Sequence, residues 1–207
     1  MIAKPDLLLH AWFGEDLDAP QAIAARSRLW FTADDAFDDL LREQFGCVPD
    51  RAFRGELGSW RNDPRSTLAL VLALDQLPRN LFRGTPQAFA YDSAGLELSR
   101  WALSRGFDAQ LHPVEAAFFY FPLEHAESPS LQSECVNLFR ALLQRAPDLL
   151  SDQFQSFLSY AERHRAVIER FGRFPHRNSI LGRSSTPEEL QYLKAGGETF
   201  SGVAPVA

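Results

Sequence analysis

Lysine is almost missing from this chain. Nineteen of its 21 basic residues are arginine, and only Lys4 and Lys194 break the pattern. Cysteine is nearly as scarce, and Cys47 and Cys135 lie far apart with no Cys-x-x-Cys spacing, which excludes a disulfide framework or a zinc knuckle. They read as buried, reduced thiols, and the expected compartment is the cytoplasm. No apolar run approaches the roughly 18 residues that a membrane span requires. Leu7-Leu8-Leu9 is too short for the apolar region of a signal peptide, so neither membrane insertion nor export by that route is expected. Sustained apolar/polar alternation and Asn-Gly or Asp-Gly turns are also missing, which removes β-hairpins. Without a Gly-rich phosphate loop, a Gly-x-Ser-x-Gly elbow or a dinucleotide fingerprint, the common nucleotide and hydrolase readings lose their support.

What is present is helical. At 207 residues and 45% hydrophobic content the chain can bury a full core, and residues 1–207 are read as a single helical domain. The formal charge of -6 argues against a nucleic-acid partner. That charge is uneven. Asp34, Asp35, Asp38, Asp39 and Glu43 crowd one early segment, whereas between Arg163 and Arg183 six arginines face the single acid Glu169.

Four cap-proline pairs, Asp63-Pro64, Thr85-Pro86, Ser128-Pro129 and Thr186-Pro187, mark helix starts, and Glu189 completes a capping box in the last, with Gly196-Gly197 as its stop. The apolar spacing predicts a central helix over Pro64 to Gln76 ended by Pro78, a longer one over Pro86 to Arg105 capped by Gly106, and others over Pro129 to Arg145 and Asp152 to Phe171. Pro113 to Tyr120 makes a shorter helix halted by Pro122. Weaker signals cover Pro5 to Phe13, Pro20 to Trp30, Ala33 to Phe45 and Arg51 to Leu57. The expected fold is therefore all-α, about nine helices stacked as antiparallel hairpins. Trp12, Phe13, Trp30, Phe31, Trp60 and the run Phe118 to Phe121 are its natural core.

One motif occurs twice. Leu77-Pro78-Arg79-Asn80 and Phe174-Pro175-His176-Arg177-Asn178 each place an Arg-Asn pair beyond a proline, where a helix is expected to stop and side chains can face a cleft from a rigid support. Around the first lie Asp75, Gln76 and Arg83; around the second, Arg173 and Arg183. Arginines this dense repel one another unless acids or a bound anion lie between them. The segment from Arg170 to Arg183 contains no acid, so Asp75 and Glu127 are the protein candidates. Three readings follow: a small anionic ligand (carboxylate or phosphate), a peptide or protein held in a concave groove, and a purely structural ion network. The turn His125-Ala126-Glu127 could do acid-base work, with His125, Glu127 and His176 as candidate catalytic groups. The missing His-Glu-x-x-His spacing gives no expectation of a metal, and the residues name no cofactor.

Trp12-Phe13-Gly14, Trp30-Phe31, Gly55-Glu56-Leu57 with Trp60, Leu74 to Asn80, Ala88 to Asp92, Phe119 to Glu127, Phe171 to Asn178, and Leu181-Gly182-Arg183 through Glu189 together resemble the bacterial family known as domain of unknown function 924. The resemblance runs in order along nearly the whole chain. It implies an all-helical, tetratricopeptide-like fold and no particular activity. Two departures stand out: Leu77 replaces a phenylalanine, and Glu124 and Ala126 replace a methionine and a serine around His125. With Ala126 there the position is read as non-chemical, which leaves His125 and Glu127 as the groups of interest.

Overall fold

The computed structural model describes residues 4–200. Among them are ten α-helices, five short 3-10 turns and no strand. The helices are α1 (Pro5–Phe13), α2 (Pro20–Phe31), α3 (Asp35–Phe45), α4 (Val48–Phe53), α5 (Pro64–Leu81), α6 (Asp92–Ser104), α7 (Pro113–Glu124), α8 (Pro129–Arg145), α9 (Ser151–Phe171) and α10 (Pro187–Lys194). No described helix is long and apolar enough to cross a membrane.

The cap signals are expressed unevenly. Asp63 accepts the Ser66 N–H at 3.0 Å, while Thr85 and Ser128 hold the cap position without a side-chain bond. At α10 the capping box is complete, with the Glu189 N–H on Thr186 Oγ1 at 3.2 Å and the Thr186 N–H on Glu189 Oε2 at 2.7 Å. Thr186→Ala is expected to lower stability by about 1 kcal/mol in urea denaturation, the usual value of a lost N-cap. Gly172 ends α9 in the left-handed conformation at φ +70°, which permits the sharp turn into the second Arg-Asn block.

Helix α5 is greasy on every side because it is enclosed on every side. Leu68 through Leu72 are buried, and α1, α3, α4, α6 and α7 all pack against it. From α5 to α9 consecutive helices pack on one another. A one-dimensional stack would give each hairpin only its sequence neighbours, whereas α5 also gathers the N-terminal helices. The aromatic core is centred on Phe118, which meets Trp12, Phe13, Trp30 and Phe121 edge-on at 4.9–5.9 Å between ring centroids. Phe31 departs from expectation: it packs against Phe121 and Phe157 but keeps 39% of its surface exposed.

Three boundaries that shape the site need correction. Pro78 and Pro122 do not stop their helices; both lie inside, so Arg79 and Asn80 belong to the last turn of α5, and Glu124 ends α7. An interior proline costs about 3 kcal/mol. Here tertiary burial outweighs that cost, since Leu77, Pro78 and Leu81 are all buried. The segment predicted as one helix from Pro86 to Arg105 is instead a 3-10 turn over Pro86–Phe89 followed by α6. The break puts Asp92 at the first position of α6. Cys47, expected to be buried, is exposed in the turn between α3 and α4; Cys135 is buried as expected.

Candidate functional site

The two Arg-Asn blocks meet. Asp75, fully buried on α5, accepts hydrogen bonds from Gln76 Nε2 at 2.6 Å and His125 Nδ1 at 2.8 Å, with Arg79 Nη1 at 3.3 Å from the same carboxylate. Arg79 then turns its fork to Asp92, donating from both terminal nitrogens at 2.8 and 2.9 Å. From the far end of the chain Arg177 reaches the same carboxylate, but only at 3.7 Å. Its Nη1 donates instead to the backbone carbonyl of His125 at 3.0 Å, and its guanidinium lies over the rings of Phe89 (4.9 Å) and Phe174 (4.4 Å). The Phe89 ring also lies beneath Arg79, at 5.8 Å.

Charge in this cluster is set by burial and by pairing. Burial alone would raise the Asp75 carboxyl, yet Arg79 and His125 hold it well below the usual carboxylate range. His125 is pushed the other way, by burial and by the Arg79 charge, and stays neutral. Its Nδ1 therefore carries the proton towards Asp75, which leaves Nε2 with the lone pair. Glu124 next to it is raised well above its ordinary value by burial and by the Asp75 charge, so it is a protonated acid. His164 on α9 stands 3.4 Å from Glu124 and is itself driven neutral by burial, so this contact is a neutral one and no salt bridge. Burial and the nearby Arg79 bring Arg177 down to about 10.

Several expected residues have other partners. Asn80 Nδ2 and the Arg83 fork both bond Asp38 on α3, at 2.6–3.1 Å. Arg173 forms a two-bond pair with Glu189, and Asn178 joins it at 3.2 Å. Arg183 pairs in the same way with Glu127, whose Oε1 also accepts the Phe174 N–H. His176 is next to Arg177 and is brought down to about 3 by burial and that neighbouring charge. Asp75 and Glu127 thus do supply acid to the arginines. Asp38, Asp92 and Glu189 supply the rest, and sequence reasoning missed them. Glu189 is visible as a capping residue and Asp92 as the end of the Ala88 to Asp92 stretch, but nothing local to either predicts an arginine partner.

Arg177 is the exception among these arginines. It is 6% exposed, its Nε has no hydrogen-bond partner among the described residues, and no carboxylate engages it bidentately. Glu124 Oε2 and His176 Nδ1 are likewise buried without a partner. Among the described residues no three His, Cys, Asp or Glu side chains are grouped so as to hold a metal ion.

Comparison with known proteins shows a family and a similar fold and adds no activity. The family model described as bacterial protein of unknown function (DUF924) matches residues 8–197. A solved structure of a protein of unknown function from Agrobacterium tumefaciens is similar at 38% identity and a TM-score of 0.77, over 93% of this chain and 97% of that one. No curated protein matches the chain.

Proposed function

The chain belongs to the DUF924 family of bacterial proteins of unknown function, and from that premise we propose that it binds a small carboxylate or phosphate at Arg177, with Arg79 beside it. The observation that carries this reading is the incomplete pairing of Arg177. Every neighbouring guanidinium in the two blocks has a carboxylate at two-bond geometry, while Arg177 is buried with a carbonyl, two aromatic faces and a distant share of Asp92. A buried charge without a full counter-charge costs several kcal/mol. An anion seated on it would offset that cost. The neutral His125, with its proton fixed towards Asp75, offers a lone pair at Nε2 and a route for proton exchange with such a ligand.

Arg177→Met makes the test. A hydrophobe in place of a poorly paired buried charge is neutral or stabilising, so the ligand-free variant should melt no lower than the wild type. Its affinity for inorganic phosphate or acetate in titration calorimetry should fall at least tenfold. Arg83→Met, which loses only the Asp38 pair, should change that affinity less than threefold. Equal binding by the wild type and Arg177→Met rejects the reading.

A further inference from the structure

Phe200 packs against the small apolar cluster of Val167, Ile168 and Phe174. Its ring is stacked on the imidazole of His164, with centroids 3.5 Å apart and planes 21° apart, and meets Phe174 and His176 edge-on at 6.0 and 5.9 Å. Those three side chains form a slot for one flat ring. The slot adjoins the anion site, because the Phe174 ring that walls it also carries the Arg177 guanidinium.

The segment that delivers Phe200 is held by few bonds. Glu198 pairs with Arg163 through two nitrogens, and the Glu198 N–H donates to Tyr192 Oη at 2.8 Å. Gly197 allows the close passage over Tyr192, where an added Cβ would come within 2.5 Å of the ring. Phe200 itself sits at φ +51°, a left-handed conformation that bulky residues rarely adopt. Beside the segment, a cavity of about 210 Å³ remains between α9 and Tyr192 and Glu198. Around the slot and the anion site, Glu124 Oε2, His176 Nδ1 and Arg177 Nε lie buried without partners among the described residues. A ring held by few tethers, in a strained backbone conformation and beside unpartnered polar atoms, has the features of a displaceable occupant.

We propose that the His164–Phe174–His176 slot is a ring-binding subsite, so that the ligand is a small organic anion bearing a flat aromatic ring, and that Phe200 fills the slot when the ligand is absent. This rests on the anion site at Arg177: the charge would be taken there, and the ring would replace Phe200 on His164.

Titration calorimetry on the full chain and on Phe200→Ala, with three probes, separates the two halves. Inorganic phosphate has the charge without the ring, benzyl alcohol the ring without the charge, and phenyl phosphate both. The variant should bind phenyl phosphate at least tenfold more tightly than the wild type, acquire measurable affinity for benzyl alcohol, and change less than twofold towards inorganic phosphate. Equal gains for phosphate and phenyl phosphate would show that Phe200 only obstructs the entrance and would overturn the subsite. So would the absence of any gain with both aromatic probes. Gain of benzyl alcohol with no phosphate binding in either protein keeps the slot and discards the anion reading. Glu198→Ala, which loosens the tether and leaves the slot intact, should shift phenyl phosphate affinity in the same direction by about threefold and serves if Phe200→Ala does not fold; no shift there counts against the proposal.

Discussion

Asp75→Asn is expected to destabilise the protein by about 3–5 kcal/mol, the range for removing one member of a buried ion pair. The carboxylate is fully buried and ionised, with Arg79 at 3.3 Å and hydrogen bonds to Gln76 and His125. Asparagine keeps the volume but removes the negative charge, and its amide presents a donor where His125 and Gln76 also donate. Arg79 would keep Asp92, but Asp92 already stands between two guanidiniums. Two buried cations would then share one acid. Denaturant unfolding of Asp75→Asn should therefore show a large drop in midpoint with little change in slope. Asp39→Asn gives the contrast: Asp39 pairs with Arg42 in full solvent and is 76% exposed, so its loss should fall within about 0.5 kcal/mol of the wild type. Similar small losses for both would mean that the Asp75 cluster is far better hydrated than its burial implies.

Much of the fold was legible in the sequence because its signals are local. The cap-proline pairs and Gly106 beyond α6 act within one turn, and the periods of α8 and α9 need no knowledge of what they face. The misread boundaries at Pro78, Pro122 and Tyr91 share one cause. A proline or a break is decided by what the helix end buries, and α5 buries Leu77, Pro78, Asn80 and Leu81 at its end. The site was legible in the same proportion. The repeated Arg-Asn blocks identify Arg79 and Arg177, and the missing local acids correctly imply partners from elsewhere in the chain. Which acids those are is a matter of tertiary distance: Asp38 lies 45 residues from Arg83, and Glu127 lies 56 from Arg183. The stacking of Phe200 on His164 left no usable signal, since a ring stacked on an imidazole has no sequence period.

Glu124 is the residue whose replacement should improve the protein. It is buried at the end of α7 with Oε2 unpartnered among the described residues. Burial and the Asp75 charge raise its pKa well above the ordinary value, so the folded state holds it as a neutral acid. An unfolded glutamate ionises near pH 4.3. For a group whose folded pKa is raised, the favourable contribution is complete below the unfolded pKa and is lost as pH rises through the folded one. Between those limits each pH unit costs about 1.4 kcal/mol of unfolding free energy. Glu124→Gln keeps the shape of the neutral acid and removes the titration. The variant should match the wild type near pH 4 and be clearly more stable than it at pH 7 to 8. His164 and His176 act on the acid side with the opposite result: burial lowers both, so protonation of the unfolded chain below about pH 6.5 draws stability away in both proteins. The stability profile of the wild type should accordingly peak at mildly acidic pH, and that of Glu124→Gln should extend flat to higher pH. A variant less stable than the wild type across the whole range would mean that Glu124 is ionised and that its 3.4 Å contact with His164 is a true ion pair.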